Sequence, residues 1–405
     1  MLVTSYILGL VLSHSPLNFM IRLGLIGLGQ RLAHMLGCFQ ASDPTLQVAG
    51  VVDPNPAAAL QRLPAEKRAG IRFFSTLNEL LREGRPDALA VGTRCDLHAH
   101  YAIAAAATGL PLFLEKPVAT TMADARALER AFADAAGEVV VSFPLRVSAL
   151  ARMTKEKIVS GAIGRPEHVL AVNYVPYGNV YFESWYRDQR ITQGLFLQKA
   201  THDFDYVADL VGAPITRVAA MAQYGRVFRD KSLEPAGGDD THAYFEHIGT
   251  PETGMNEDAS STLLEFANGA QGVYTQVFYT KHHGAARGAT LSGLRGTLRF
   301  DWYRNELLLH RHGEARTELE RPPEGLNHFG GDSVLADNFI AVIKGEARSA
   351  SPIAAGLRSV YACLAARESA ATGRFVDVRQ LTDLEAPPVV PAPDSDSSVA
   401  APAVA

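Results

Sequence analysis

Between Leu23 and Phe143 the chain switches repeatedly between short continuous apolar runs and stretches of helical spacing, an alternation that leaves few folds open. The runs Leu23 to Ile26, Val48 to Val52, Ala88 to Val91, Leu112 to Leu114 and Val139 to Phe143 are bounded by glycine, proline or charge and are expected to be buried strands. Between them Leu32, Met35, Leu36 and Phe39 fall at i, i+3, i+4 and i+7, Thr76-Leu77-Asn78-Glu79 is a capping box, and a helix over 96–108 is expected to stop at Gly109. Right-handed crossovers turn such units into a doubly wound parallel sheet with its ligand at the carboxyl ends of the strands.

The first run passes directly into Gly27-Leu28-Gly29-Gln30-Arg31-Leu32. Gly27 permits a tight turn, and Gly29 lets the backbone approach a pyrophosphate at the start of the helix that Gln30 opens. Where a third glycine would draw helix and strand together the chain has Leu32, so a wider spacing is expected. The second run ends in Val51-Val52-Asp53, about 20 residues beyond the turn, where a carboxylate can accept both ribose hydroxyls of an adenosine. The two signals together predict a dinucleotide site. Asp53 would repel the extra phosphate of NADP, and Pro54 and Asn55 bring no cation to offset it, so NAD is expected. Arg31 is either a guanidinium that reaches a phosphate or a solvated residue at the helix start. The fourth helix-strand unit leads into Leu114-Glu115-Lys116-Pro117, which sets Lys116 at the edge of the sheet where a nicotinamide would lie.

With Gly27-x-Gly29, Asp53, Val91-Gly92-Thr93, His98 and Glu115-Lys116-Pro117 come Arg146, Ile163-Gly164-Arg165-Pro166 and the run Gln198-Lys199-Ala200-Thr201-His202-Asp203-Phe204-Asp205. In this order they resemble the Gfo/Idh/MocA family of glucose-fructose oxidoreductases and inositol dehydrogenases, from Ile21 to about Val378. The resemblance implies a Rossmann domain followed by an α+β domain with an open, mainly antiparallel sheet. The expected organisation is an N-terminal extension over 1–19, with Met20 as an alternative start, a nucleotide-binding domain over 20–143, a substrate and oligomerisation domain over 144–380, and a loose tail over 386–405. Seven runs between 167 and 310 read as strands, joined by turns such as Asn268-Gly269 and Arg295-Gly296, and 333–344 and 355–372 read as amphipathic helices.

The resemblance also implies roles. His202 would be the acid/base, Lys116 would hydrogen-bond the reacting oxygen and the nicotinamide ribose, and Asp205 would orient or tune the imidazole. Gly27, Gly29, Gln30, Arg31, Asp53, Thr93, His98, Glu115 and Lys116 would surround the cofactor, and Lys116, Arg146, Gln198, Lys199 and His202 the substrate. Many family members carry an aspartate four residues before the histidine; Gln198 stands there and can bond a sugar hydroxyl but cannot take a proton. Lys199 is either solvated or a cation in the site that depresses the histidine pKa and attracts an anionic substrate. The aromatics Tyr177, Tyr181, Phe182, Trp185 and Tyr186 either stack on a sugar ring or fill a domain interface. His328-Phe329-Gly330-Gly331-Asp332 lies near the substrate or is a helix start capped by Asp332.

Formal charge is −5, from 38 Lys and Arg against 43 Asp and Glu, which offers no surplus of cations for a nucleic-acid backbone. No apolar run reaches the roughly 18 residues of a membrane span. Three widely spaced cysteines suit a reducing, cytoplasmic compartment, and His242, His247, His282, His283, His310, His312 and His328 lack metal-ligand spacing, so no metal is assigned. The expected function is NAD-dependent hydride transfer at a hydroxyl or keto carbon of a sugar, inositol or related polyol, in a homo-oligomer. Two alternatives stay open: an NAD-retaining, glycosidase-like enzyme that uses transient oxidation, and a non-catalytic nucleotide sensor, for which Gln198 speaks.

Overall fold

The computed structural model describes residues 20–228, 249–250, 253–323 and 327–381. The expected extension over 1–19, the tail over 386–405, His242 and His247 lie outside the described residues.

The first half alternates as its hydrophobic period requires: β1 (Arg22–Ile26), α1 (Gln30–Ser42), β2 (Gln47–Val52), β3 (Phe73–Phe74), β4 (Ala88–Val91), α2 (His98–Ala106), β5 (Leu112–Leu114), α3 (Met122–Ala133) and β6 (Val139–Val141). The strands form one sheet in the order β3-β2-β1-β4-β5-β6, every pair parallel. Every residue of β4, β5 and β6 is buried, as expected of a sheet covered on both faces. Strand order reverses between β1 and β4, and the loops that follow these two strands frame a crevice. The Thr76 hydroxyl accepts from Glu79 N, while the Glu79 carboxylate reaches one residue further back, to Ser75 N.

Leu32 is fully buried, and a Cβ placed on Gly92, just past β4, would lie 2.8 Å from Leu32 Cβ. The small residue that the first helix requires has moved to the neighbouring strand end, where it makes room for the larger side chain.

The second sheet is built from β7 (Pro166–Tyr174), which follows helix α4 (Ala149–Val159), and, beyond helix α5 (Thr201–Val211), from β8 (Ile215–Tyr224), β9 (Glu257–Phe266), β10 (Gln271–Val277), β11 (Ala286–Gly293), β12 (Gly296–Asp301), β13 (Glu306–Arg311) and β14 (Thr317–Glu320). Its order is β14-β13-β12-β11-β7-β10-β9-β8-β15, where β15 (Val376–Asp377) is added after helices α6 (Gly331–Ile343) and α7 (Ile353–Thr372). Only β7 and β10 run parallel. The sequence reading missed β14 and β15: the first reads Thr-Glu-Leu-Glu, with the charges that keep an edge strand from pairing further, and the second is two residues long. Helices α5 and α7 cover one face of the sheet through buried Phe204, Val207, Leu357, Val360 and Tyr361.

The C-terminal helices also close back on the first sheet. Leu335, Ala336, Phe339 and Ile340 of α6 share a core with Leu32, Met35 and Phe39 of α1, and Phe39 meets Phe113 and Phe339 at ring distances of 5.0 and 5.2 Å. Each such ring, fully buried, stabilises by about 1.5–3 kcal/mol. Tyr361 of α7 donates to Glu129 of α3 at 2.5 Å. Among the described residues no helix is long and apolar enough to cross a membrane.

Candidate active site

Gly27 sits at φ +74°, and a Cβ there would come within 2.8 Å of Thr93 Cα, so only glycine fits this turn. Gly27 N donates to Val52 O, which ties the turn to the end of β2. Gly29 precedes α1 with no side-chain cap and no acid in the first turn, so the positive pole of the helix is left for a ligand. The nearest heavy atom to a Cβ on Gly29 is 3.7 Å away, and Gln30 is exposed beside it. Asp53 accepts Leu28 N on Oδ2 and Asn55 N on Oδ1, both at 2.8 Å; each oxygen keeps a lone pair for a hydroxyl. A bare helix terminus, a close glycine approach and a fixed carboxylate fit a bound dinucleotide.

Arg31 is tied to other side chains of the chain. Its guanidinium donates to Asp332 at 2.7 and 2.9 Å, to Glu115 Oε1 at 3.2 Å and to Ser142 Oγ at 3.1 Å. Glu115 is 6% exposed and turned to Arg31. Asp332 does not cap its helix: it also meets His34 and His328, at 2.9 and 2.8 Å. Burial pushes the Asp332 carboxyl up, but hydrogen bonds and charge from His328 and Arg31 outweigh it and hold the group well below the usual carboxylate range. His98 is a buried brace, with Nδ1 2.8 Å from Pro117 O and Nε2 3.2 Å from Thr93 O. It fixes the Thr93 loop against the cis Lys116–Pro117 peptide.

Lys116, at the end of β5, donates from Nζ to the carbonyl of Gln198 at 2.8 Å. Burial, then the charge of Lys199, lowers its ammonium to about 8. Gln198 lies in a π-helical turn, Phe196–Ala200, that runs into α5 and delivers His202 to the same crevice. The imidazole meets Phe143 edge-on at 5.7 Å, and its buried Nδ1 has no hydrogen-bond partner among the described residues. Burial, with the positive charges of Lys116, Arg287 and Lys199, holds His202 well below 6.5. The ring is therefore neutral at neutral pH and able to take a proton.

Asp205 does not orient it. Asp205 and Asp209, one helical turn apart on α5, both accept from Arg146 at 2.7 Å, so the face that carries them turns to the loop after β6. Arg146 is thereby a strut between loop and helix, and burial lifts Asp205 to about 6 against the pull of Arg146. Gln198 is 3% exposed and its amide donates to Cys95 Sγ at 2.8 Å. Lys199 is not solvated: it is 5% exposed. Its Nζ donates to Tyr177 OH at 3.1 Å and lies 5.0 and 5.4 Å from the Tyr177 and Tyr181 ring centres. The Lys199 charge in turn draws the Tyr177 phenol down to about 8.

The aromatic segment is divided between core and surface. Tyr181 and Phe182 pack with Phe228 and Phe278 in a small core, while Tyr177 is 47% exposed. Trp185 stacks on Tyr186 and carries the Arg94 guanidinium at 4.0 Å, a link to the loop after β4. Sequence reasoning missed Arg287, which clamps Asp203 with two bonds of 3.0 Å beneath His202. The two lie 84 residues apart, and no local pattern marks either.

Residues 21–143 match the family model described as oxidoreductase family, NAD-binding Rossmann fold, and residues 155–378 match its C-terminal alpha/beta domain. Over 201 residues the chain is 30% identical to YteT of Bacillus subtilis (strain 168), a match covering 48% of this chain and 46% of that one. Over 266 residues it is 25% identical to scyllo-inositol 2-dehydrogenase (NAD(+)) of the same organism, covering 62% of this chain and 66% of that protein. Levoglucosan dehydrogenase of Pseudarthrobacter phenanthrenivorans is 26% identical over 398 residues, covering 89% of this chain and 97% of that one. A solved structure of levoglucosan dehydrogenase with NADH and levoglucosan has the same fold: TM-score 0.71 at 23% identity, covering 89% of this chain and 99% of that one. Both halves of the chain being matched, it belongs to the Gfo/Idh/MocA family of oxidoreductases.

Proposed function

We propose that the chain is an NAD-dependent dehydrogenase or reductase that transfers a hydride at a hydroxyl or keto carbon of a sugar, inositol or related polyol. The observation that carries this is the meeting of Lys116, from the nucleotide sheet, with the helix that bears a neutral, unpartnered His202. Bound NAD supplies the hydride acceptor. In the direction of oxidation His202 takes the hydroxyl proton, and the Lys116 ammonium donates to the oxygen as negative charge builds on it. The first-turn N–H groups of α1 hold the pyrophosphate, and Asp53 receives the adenosine ribose. The carboxylate at Asp53 favours NAD over NADP. The names of the inositol and levoglucosan dehydrogenases support a cyclic polyol substrate. Cys38, Cys95 and Cys363 are unpaired, which supports a cytoplasmic setting. Leu170, Met221 and Leu263, exposed on the open face of the second sheet, support a homo-oligomer.

The test is a panel of sugars, sugar acids and inositols incubated with the protein and NAD, followed at the absorbance of reduced nicotinamide. Net reduction with at least one compound is expected. Consumption of a compound with no net reduction would contradict the reading in favour of transient oxidation.

A further inference from the structure

We propose that the site has a second, anion-binding position formed by Lys199, Tyr177 and Tyr303, and that the substrate is therefore an acidic sugar bearing a carboxylate or a phosphate. The proposal rests on the oxidoreductase reading and narrows its substrate class.

The argument is one of charge. Each carboxylate packed around the crevice is already paired with an arginine: Asp203 with Arg287, Glu115 with Arg31, and Asp205 with Arg146. The two lysines have neutral partners only, a carbonyl for Lys116 and a phenol for Lys199. Burial lowers the proton affinity of both, as do the charges of Lys199 on Lys116 and of Arg287 on Lys199, and among the described residues no carboxylate is bonded to either ammonium. A neutral polyol would leave them so. An anion beside Lys199 would remove the cost of burying it.

The geometry gives the anion a seat and a way in. Lys199 is 5% exposed and forms the floor; Tyr177, 47% exposed, and Tyr303, 36% exposed, form the rim. An oxyanion over Lys199 Nζ would replace or share its bond to Tyr177 and accept from the Tyr303 hydroxyl. Lys116 then stays free for the reacting oxygen.

The experiment uses protein loaded with NADH at neutral pH. D-glucuronate, D-glucose 6-phosphate and D-glucose are titrated separately, with the galacto series alongside, and binding is read from nicotinamide fluorescence. At least one acid is expected to bind about tenfold or more tighter than its neutral counterpart, the usual scale for a buried charge contact, and the two acids distinguish carboxylate from phosphate. Lys199→Gln is expected to bring that acid to the level of the neutral sugar, Tyr177→Phe to remove part of the preference, and Lys199→Arg to keep it. If no acid outbinds its neutral partner, or if the preference survives Lys199→Gln, the proposal is overturned. Failure of the protein to bind NADH overturns the oxidoreductase reading and this proposal with it.

Discussion

Lys116 donates its ammonium proton to the carbonyl oxygen of Gln198 at 2.8 Å, and this one bond joins the end of β5 to the turn that opens the His202 helix. The lysine of one sheet and the histidine packed on the other thus share a crevice whose floor is set by backbone, not by the side chain of Gln198. The placement of the lysine therefore does not depend on which side chain stands at position 198.

Lys116 also makes the site sensitive to pH. Its folded-state value near 8 lies below the ordinary 10.5, so between these values the unfolded chain binds the extra proton. The group is a net cost to stability below pH 8, and the cost disappears as pH rises toward 10.5. With partial solvent screening, Lys116→Met is expected to stabilise the fold by about 1–2 kcal/mol at neutral pH and by almost nothing at the alkaline end. Denaturant midpoints at the two pH values measure this; equal effects at both would contradict it.

Arg31 and Asp332 stand 301 residues apart and hold the last helices onto the nucleotide domain. Asp332 is 2% exposed, so Arg31→Ala leaves a buried carboxylate short of its main partner and is expected to destabilise by about 3–5 kcal/mol. Adding Asp332→Ala should cost less than the sum of the single changes. Additive losses in a double-mutant cycle would mean that the pair is not coupled.

Asp53 decides cofactor choice in this account. Wild-type protein is expected to bind NADH about tenfold or more tighter than NADPH, and Asp53→Ser to close the gap, because the repelling charge is gone. Fluorescence titration of both nucleotides gives the answer; a wild-type preference for NADPH would refute the role given to Asp53.

What the sequence made legible was local. The parallel strands, the Gly27-x-Gly29 turn and the strand-end placements of Asp53 and Lys116 follow from patterns a few residues long. The partners of the polar residues did not. Glu115 is claimed by an arginine 84 residues away, Asp205 by one 59 residues away, and Gln198 by a cysteine 103 residues away. Each of these side chains is chemically able to serve a ligand, and only the tertiary fold shows that it is already engaged. Leu32 carried the opposite lesson, since the room it needs was visible as Gly92 but could be matched to it only once β1 and β4 were neighbours.

That match is testable. Gly92→Ala places a methyl 2.8 Å from Leu32 Cβ and is expected to cost about 1–3 kcal/mol through overpacking. Leu32→Ala in the same chain should relieve part of the clash. A neutral Gly92→Ala, measured by thermal unfolding, would show that the helix shifts freely.

The proposed division of roles gives the chemistry to Lys116 and His202 and the nucleotide to the glycine turn. It is tested most directly by measuring turnover and NADH affinity together in Lys116→Ala and His202→Ala, with the substrate found by the panel. Turnover is expected to fall about 10²–10⁴-fold in each variant, as for loss of a proton-transfer or charge-stabilising group, with NADH affinity kept within about tenfold. Near-normal turnover in either variant would contradict the account.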